Sequence, residues 1–322
     1  MALIKQNMVQ AINAALSQEL ERDPDVVIIG EDVGRDGGVF RVSEGLLDRF
    51  GPKRVIDTPL AELGIVGAAV GMASYGLRPV VEIQFMGFIY AALEQVFSHA
   101  SRMRSRSRGA FTCPLVIRTP YGIGIKAPEL HSESSEALFC HMPGLKVVMP
   151  SSPYNAKGLL ASAIRDDDPV LFLEPSRLYR AIKADVPDEP YTLPIGKAEI
   201  FQEGKDLTIV AWGAMLHKAA EAAEGLDAEI IDLLTLKPYD EETILNSIKK
   251  TGRLVIVEEA TRIGGLGAEI SAFAAEEAIG YLAAPIVRCA GPEAVVPMAR
   301  LEDEFRPSTE RIRKAYERVM AY

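Results

Sequence analysis

Short runs of aliphatic and β-branched residues recur along the chain, and most of them are followed by a stretch with helical spacing. In the first half these runs are VVIIG (26–30), PVVEIQF (79–85), PLVIRT (114–119), LKVVMP (145–150) and PVLFLE (169–174). Runs that are apolar throughout predict strands buried on both faces, and helices between them predict mainly parallel pairing. The sequence therefore predicts an α/β fold with parallel sheets covered by helices.

The same alternation restarts after KADVPDEPYTLPIG (183–196), a segment rich in proline and acidic residues. Such a composition is typical of a connection between domains. The runs DLTIVAW, AEIIDLL, RLVIVEE and APIVRC follow it. We therefore predict two α/β domains, residues 1–185 and 197–322, joined by a linker at 186–196, which suits a chain of 322 residues.

Helical spacing is predicted over residues 61–75, 88–102 and 155–165. A further amphipathic helix is predicted at the amino terminus, where apolar residues stand four apart at Ile4, Met8, Ile12, Leu16 and Leu20. For the helix at 61–75, Thr58 and Pro59 have the residue types that favour the N-cap and first helical positions.

Charge and cysteine content exclude several classes of partner. Lys and Arg total 35 against 45 Asp and Glu, a net charge of −10, which argues against nucleic acid and anionic membranes as partners. The three cysteines are far apart and form no CxxC pair, as is typical of a reducing compartment. No apolar run approaches the roughly 18 residues that a membrane span needs. We expect a soluble, cytoplasmic protein.

Glu62 is the only charged residue between Asp57 and Arg78, and it stands at the start of an apolar, glycine-rich helix. A single acid at a helix start is often explained by the helix dipole alone. However, glycines at positions 64, 67 and 71 fall on one side of this helix. Because glycine lowers helix stability, its use here indicates that another backbone or a ligand must come close.

Several long motifs resemble, in order, the β subunit of thiamine diphosphate-dependent 2-oxo acid dehydrogenases. They are GEDVGRDGGVFRVSEGL, DTPLAELGIVGAAVGMA, EIQFMGFIYAALEQV, ELHSESSEALFCHMPGLKVVMPSSPYNAKGLL, AIRDDDPVLFLE and GRLVIVEEATRIGGLGAEI. The resemblance covers nearly the whole chain. It implies a pyrimidine-type thiamine diphosphate-binding domain with a parallel sheet, followed by a transketolase C-terminal-like α/β domain.

The resemblance also assigns roles to individual residues. In this family a carboxylate bonds a ring nitrogen of the cofactor's aminopyrimidine, and the match to TPLAELGI makes Glu62 that carboxylate and Leu60 a contact of the ring. In EIQFMGF, Gln84 and Phe88 match positions that line the aminopyrimidine. His131, in PELHSESSEALF, matches a residue at the active-site mouth, where an imidazole can donate a proton or stabilise an oxyanion.

Residue type alone gives simpler explanations for two of these positions. Phe88 would be a core aromatic residue at the start of a helix, and His131 would be a histidine in a surface loop. Their assignment to a site therefore rests on the resemblance.

The turn in SAIRDDDPV carries three consecutive acids, which by themselves indicate a solvated turn. The resemblance implies that this turn holds a structural monovalent cation, usually potassium, and hard oxygen ligands suit such an ion. The implied ligands are Leu115, Ala163, Ile164, Asp166 and Asp168. Relatives often have Asn at the position of Asp168, so this sequence adds a charge there.

Two other motifs are assigned no ligand. RIGGLGAEI (262–270) is similar to a dinucleotide-binding loop, but Ile270 stands where the last glycine belongs, so a tight turn into a helix is predicted. SRMRSRSRG (101–109) departs from the family pattern, which is closer to RYRSGG. We interpret it as a solvated basic helix end.

The sequence lacks the GDG motif with which thiamine enzymes hold Mg²⁺ and the diphosphate, and RDGGVF (35–40) is its nearest string. The resemblance therefore implies half of an active site, completed by an α subunit that holds Mg²⁺ in an α2β2 tetramer. It further implies that the C-terminal domain serves assembly and docking of a lipoyl-bearing acyltransferase core.

The implied activity is oxidative decarboxylation of a 2-oxo acid, pyruvate or a branched-chain one, with acyl transfer to lipoyllysine. The β subunit of an acetoin dehydrogenase is an alternative with the same motifs. A non-catalytic assembly subunit is a second alternative, and the presence of Glu62, Gln84, Phe88 and His131 argues against it.

Overall fold

The computed structural model describes residues 2–322 and contains helices and strands throughout. In the first half the elements, in chain order, are β1 (Leu3–Asn7), α1 (Met8–Arg22), β2 (Val26–Gly30), α2 (Leu46–Phe50), β3 (Val55–Asp57), α3 (Glu62–Ser74), β4 (Arg78–Glu82), α4 (Met103–Arg106), β5 (Val116–Tyr121), α5 (Glu136–Cys140), β6 (Lys146–Val148), α6 (Pro153–Arg165), β7 (Val170–Pro175) and β8 (Lys183–Pro187). Short 3₁₀ turns lie at Met86–Ala92, Glu129–His131 and Ser176–Leu178, and a π-helical turn lies at Gln95–Ala100.

The second half repeats the pattern of strands and helices. Its elements are β9 (Glu199–Gln202), β10 (Leu207–Ala211), α7 (Ala214–Ala222), β11 (Ala228–Asp232), β12 (Thr235–Lys237), α8 (Glu241–Thr251), β13 (Leu254–Thr261), α9 (Leu266–Ala278), β14 (Val287–Gly291), α10 (Glu302–Phe305) and α11 (Thr309–Met320), with a 3₁₀ turn at Ile279–Tyr281. Among residues 2–322, no helix has the length and apolar composition needed to cross a bilayer.

Two main sheets organise the chain. The first has the strand order β12-β6-β7-β5-β4-β2-β3, and all its pairs are parallel except β12 with β6. The second has the order β14-β13-β10-β11-β9, parallel except for the edge strand β9. The expected α/β fold with mainly parallel sheets is confirmed.

The two halves are packed into one body. One continuous apolar cluster includes Val147 and Leu171 of the first sheet together with Val210 and Ile231 of the second. The indole of Trp212 is 2% exposed between them and donates to a carboxylate oxygen of Glu136 over 3.3 Å. In addition, β12 from the second half pairs with β6, and Thr235 stands opposite Val148 in this pairing. This crossing strand was not predicted from the sequence.

The predicted start of the first helix is wrong. Leu3–Asn7 is a strand that pairs antiparallel with β8, and Ile4 stands opposite Val186 in this pairing. Ile4 is therefore not on a helix. Asn7 caps the helix because its side chain accepts from the Gln10 amide while the Gln10 side chain accepts from the Asn7 amide. The apolar period is correct from Met8 onward, since Met8, Ile12 and Leu16 are fully buried.

Two other local predictions also differ from the structure. Helix α3 begins at Glu62, and its N-cap is Ala61, so Thr58 and Pro59 precede the helix. The helix predicted over 88–102 is divided into a 3₁₀ turn, a π-helical turn and the short α4. Within the proline-rich segment 183–196, residues Lys183–Pro187 form β8.

Candidate active site

The site lies at the carboxyl edge of the first sheet. Strands β3, β2, β4 and β5 are parallel neighbours, so the residues that follow them come together at one edge. Glu31 follows β2, Glu62 follows β3 after a short connection, and Gln84 follows β4. This is the region where ligands bind in open parallel sheets.

Glu62 is the first residue of α3 and is half-buried. Its position places the carboxylate at the positive end of the helix dipole. Burial, and then the charges of Asp32 and Glu62, raise the pKa of Glu31, which follows β2 at the same edge. Asp57, the last residue of β3, fixes the loop after β2, because its carboxylate accepts from the amides of Gly34 and Arg35 over 2.6 and 3.0 Å. Glu31 was not predicted as a site residue, although the GEDVG motif contains it.

Two leucines beside Glu62 are exposed. Leu60 is 67% exposed and Leu63 is 50% exposed. On the same helix, a Cβ added to Gly67 would come within 3.4 Å of the Gln95 side chain, whereas one added to Gly71 would meet nothing within 4 Å. The apolar rim around Glu62 is therefore open in the isolated chain.

Phe88 and His131 lie together although the sequence separates them. Their ring centroids are 5.1 Å apart in an edge-on arrangement, and the ring of Phe85 lies 4.3 Å from the imidazole. Phe40 extends this aromatic cluster, with its centroid 5.9 Å from that of Phe85. Sequence reasoning identified Phe88 and His131 but not Phe85 and Phe40. Two local signals pointed to them: apolar residues alternate with polar ones in EIQFMGF, which contains Phe85, and the motif GGVF ends in the aromatic residue Phe40.

The segment that carries His131 is held tightly against the turn that carries Phe88. A Cβ on Gly87 would lie 2.5 Å from the Leu130 carbonyl oxygen and 2.9 Å from its Cα, so only glycine allows this approach. Among residues 2–322, the buried Nδ1 of His131 and the buried Oγ of Ser132 have no hydrogen-bond partner. The imidazole is thus positioned by packing and retains an unused polar atom.

A buried ionic network supports the edge from below. Arg118 on β5 is 1% exposed. Its Nε donates to Glu174 over 2.7 Å, and its Nη1 donates to Glu82 over 2.8 Å. Burial alone would lower the pKa of the Arg118 guanidinium, but Glu174 and Glu82 together raise it. Tyr179 also donates to Glu174 over 2.6 Å. Because Glu82 ends the strand before Gln84, this network fixes the backbone that presents Gln84.

The donor set suits an aromatic nitrogen heterocycle. A carboxylate, an amide side chain and aromatic faces line the edge, and the buried Oγ1 of Thr58 lacks a hydrogen-bond partner among the described residues. It does not suit a diphosphate, because the acids Glu31, Asp32 and Glu62 all follow strands at this edge. Within residues 2–322, no cluster of three or more His, Cys, Asp or Glu side chains could hold a metal ion.

The residues implied for potassium are engaged in internal hydrogen bonds. The Ile164 and Asp166 carbonyl oxygens both accept from Arg78 Nη1, over 3.1 and 3.0 Å. The Leu115 carbonyl accepts from the Val170 amide over 2.9 Å, and that of Ala163 accepts from the Asp166 amide.

The three acids of this turn are each paired with a cation. Asp166 accepts from Lys146 over 2.6 Å, Asp167 from Arg78 over 2.7 Å, and Asp168 from Arg104 over 2.6 Å. These pairs balance the charge of the turn by internal salt bridges. Asp168, which stands where relatives often have Asn, is thus paired with Arg104 from the basic segment 101–109.

A cavity of about 860 Å³ lies away from this edge, between α5, β12 and α9, and its lining includes Cys140, Lys237, Tyr239 and Gly265. It contains none of the predicted site residues. The amino terminus of α9 faces it, but the Glu258 carboxylate accepts from the Gly267 amide there over 2.9 Å. This end of the helix is already capped by an anion, so it is not a phosphate site.

Two family models match the two halves of the chain. The family models described as "Transketolase, pyrimidine binding domain" and "Transketolase, C-terminal domain" match residues 4–182 and 196–312. A solved structure, a split-gene transketolase described as an inactive β4 tetramer, superposes with a TM-score of 0.81 at 23% identity and covers 98% of each chain, which shows the fold. The expected transketolase-like fold with two α/β domains is confirmed.

Curated relatives cover the chain from end to end. The pyruvate dehydrogenase E1 component subunit beta of Acholeplasma laidlawii is 52% identical and covers 100% of this chain and 99% of its own. The proteins of the same name from Bacillus subtilis (strain 168) and Staphylococcus epidermidis are 46% and 49% identical and cover 99% and 95% of this chain, with 100% and 96% of their own lengths matched.

Proposed function

The chain belongs to the family of pyruvate dehydrogenase E1 component β subunits, and from that premise we propose that it contributes half of a thiamine diphosphate-dependent active site that decarboxylates pyruvate. The observation that carries the proposal is that Glu62 and Gln84 follow parallel strands at the same edge of the first sheet as the ring contact between Phe88 and His131. A scaffold subunit would have no need of this combination.

The aminopyrimidine is proposed to bind at Leu60, Glu62, Gln84 and Phe88. Bound there, thiamine diphosphate would supply the nucleophilic carbon that decarboxylation of a 2-oxo acid requires. The Glu62 carboxylate would accept a hydrogen bond from a protonated ring nitrogen, and the exposed Leu60 would provide an apolar contact. Phe88 offers a flat face and Gln84 a hydrogen-bonding side chain.

His131 is proposed to act in acyl transfer to lipoyllysine. Its ring is oriented by Phe85 and Phe88, and its buried Nδ1 has no partner within residues 2–322. An imidazole so placed can hold or release a proton beside a developing oxyanion.

An α subunit is proposed as the partner that completes the site. The acids Glu31, Asp32 and Glu62 at this edge, together with the net charge of −10, disfavour binding of the diphosphate by this chain alone. Mg²⁺ and its ligands would then come from the partner, in an α2β2 assembly. The exposed Leu60 and Leu63 suit burial in that contact. Docking to an acyltransferase core would involve the second domain.

Pyruvate is the proposed substrate because the curated relatives carry that name in full-length matches near 50% identity. Branched-chain 2-oxo acids and acetoin are the alternatives. A cytoplasmic location is proposed from the free thiols of Cys113, Cys140 and Cys289. Burial raises the pKa of Cys113 to about 12, which keeps this thiol unreactive.

The test is a substrate comparison in the chain assembled with an α subunit. We expect the highest kcat/KM for pyruvate, measured by release of carbon dioxide. A preference for 3-methyl-2-oxobutanoate would assign a branched-chain enzyme, and turnover of acetoin alone would assign an acetoin dehydrogenase. No turnover of any of the three by the assembled complex would contradict the catalytic role.

A further inference from the structure

The segment Gly122–Ser134 carries His131 and leaves β5 in the first domain. Its two ends are joined by a hydrogen bond from the Gly122 amide to the Glu133 carbonyl over 3.0 Å. Its middle contacts the turn at Gly87, as described above. The closest polar contact of this segment with the second domain is with Glu259. Neither the motifs nor the similarity to known proteins assigns a role to this residue.

Glu259 lies on β13 of the second sheet and is 3% exposed. Its Oε1 accepts from the Ile123 amide over 2.8 Å and from the Ser134 hydroxyl over 3.0 Å. One carboxylate oxygen therefore holds both ends of the segment. Gly122 has a φ of +74°, and a Cβ there would overlap this same oxygen. Both the conformation and the contact require glycine.

Apolar packing follows the same path between the domains. The Ile123 side chain is 1% exposed and packs with Val296 and Phe305 of the second domain in a small separate cluster. Ser176 of the first domain donates to the carbonyl oxygens of Gly122 and Ile123 over 3.1 and 3.3 Å. The backbone at Ile123 is thus held from both domains.

We propose that Glu259 is a positioning residue through which the second domain holds His131 in place for acyl transfer. The inference rests on the role of His131 in the proposed function. A displacement of a catalytic group by about 1 Å can reduce a rate by about 10²-fold. The two hydrogen bonds to the buried Oε1 of Glu259 oppose such a displacement of the segment.

The proposed role requires a hydrogen-bond acceptor at position 259, and it does not require a negative charge there. Burial raises the pKa of Glu259 to about 7, while the hydrogen bonds from Ile123 and Ser134 oppose this shift. The oxygen that accepts both bonds is retained in a glutamine side chain. Glu259→Gln should therefore preserve the function, and Glu259→Met, which has a similar volume and no acceptor oxygen, should not.

The neighbouring residue provides a matched control. Glu258 is fully buried on the same strand, and burial also raises its pKa to about 7. Its Oε2 accepts from the Gly267 amide of α9, within the second domain. The same substitution at this position, Glu258→Met, removes a buried carboxylate without removing a hydrogen bond to the His131 segment.

The experiment uses complexes with the α subunit that contain the wild-type chain or the variants Glu259→Met, Glu259→Gln, Glu258→Met and His131→Ala. Acyl transfer to a lipoyl domain and decarboxylation with an artificial electron acceptor are measured in parallel. Hydrogen exchange is followed in the peptide that contains Ile123 and, as a control for global opening, in β10.

In Glu259→Met we expect acyl transfer to fall about 10- to 100-fold with decarboxylation much less affected, and faster exchange at Ile123 but not in β10. Glu259→Gln and Glu258→Met should retain the wild-type ratio of the two activities. Combining Glu259→Met with His131→Ala should cause little loss beyond that of His131→Ala alone, because both changes act on one group.

Equal loss of both activities in Glu259→Met, the same selective loss in Glu258→Met, or unchanged exchange at Ile123 would overturn the proposal. If Glu259→Met does not assemble, Ser134→Ala removes one of the two bonds, and unchanged exchange in that variant overturns it as well. Absence of decarboxylation in the wild-type complex would instead contradict the proposed function, while exchange at Ile123 would still decide the role of Glu259.

Discussion

The ring of Phe88 stands edge-on to the imidazole of His131, with 5.1 Å between the centroids, although 43 positions separate the two residues in the chain. Phe88 belongs to the turn after β4, and His131 belongs to the segment after β5. Their contact places an apolar surface suited to a heterocycle directly beside a titratable group. Binding of a cofactor ring and proton transfer are therefore assigned to adjacent but distinct residues.

This separation predicts a selective effect of His131→Ala. Acyl transfer to the lipoyl domain should be impaired by about 10²–10⁴, the usual contribution of a general acid or base. Decarboxylation measured with an artificial electron acceptor should be much less affected, since Phe88 and Glu62 are intact. His99→Ala, a change outside the aromatic cluster, serves as the control. Equal losses in the two assays would contradict the division of roles.

Glu62→Gln should abolish most activity without affecting assembly. The side chain remains at the first position of α3 with the same shape but loses the carboxylate that is proposed to bond the aminopyrimidine. We expect kcat to fall by about 10²–10⁴, with an unchanged size of the complex in analytical ultracentrifugation. Glu94→Gln, an exposed position, should behave as wild type. Full activity of an assembled Glu62→Gln complex would remove Glu62 from the mechanism.

The structure predicts that stability does not depend on potassium. Arg78 bonds the carbonyls of Ile164 and Asp166 and pairs with Asp167, so it satisfies the turn internally. The melting temperature of the wild-type protein should be the same in KCl and NaCl. Arg78→Ala should destabilise the protein by about 1–3 kcal/mol, the cost of leaving such groups unpaired, and potassium should restore part of that loss. Stabilisation of the wild type by potassium over sodium would show that the ion is bound despite these pairs.

The buried carboxyl of Asp232 predicts how stability changes with pH. Burial raises its pKa from 3.8 to about 8 in the folded chain, even though Ser151 donates a hydrogen bond to it. A folded-state pKa above the unfolded value gives stability that is fully present below the unfolded pKa and is lost as the pH rises through the folded pKa. The free energy of unfolding should therefore fall between pH 4 and 8 by up to about 1.4 kcal/mol per unit for this group.

Asp232→Asn should make this decline less steep, because the amide does not titrate. Glu258 and Glu259, whose pKa values burial raises to about 7, would maintain part of the slope in the variant. Urea unfolding at several pH values measures the difference between the two slopes. Identical slopes for the wild type and Asp232→Asn would show that Asp232 is ionised in the folded state.

The main strands and the sheet class could be predicted because the signal is local. Buried parallel strands such as VVIIG are apolar at every position, and the structure buries all five residues of that run. The same argument explains why the helix predicted at Ile4 was wrong. Its spacing from Met8 fits a helix, but its partner in the structure is Val186, far along the chain, and no local pattern reports such a pairing.

The site was predictable only in part, for the same reason. The motifs identified Glu62, Gln84, Phe88 and His131, each within a recognisable stretch. The contacts that position them depend on residues distant in sequence, as in the approach of Leu130 to Gly87, which accompanies the broken helix after β4. Pairing of Arg104 with Asp168 likewise joins two positions that appeared unrelated in the sequence.

The central claim is that this chain holds only half of a cofactor site, and calorimetry of cofactor binding tests it most directly. The edge of the first sheet offers groups for the aminopyrimidine, whereas Glu31, Asp32 and Glu62 would repel the diphosphate. Titration of the isolated chain with thiamine diphosphate and Mg²⁺ should show no binding and no decarboxylation. Addition of an α subunit that carries a GDG motif should restore both, in a complex with two copies of each chain. Tight, Mg²⁺-dependent binding by the isolated chain would contradict the account.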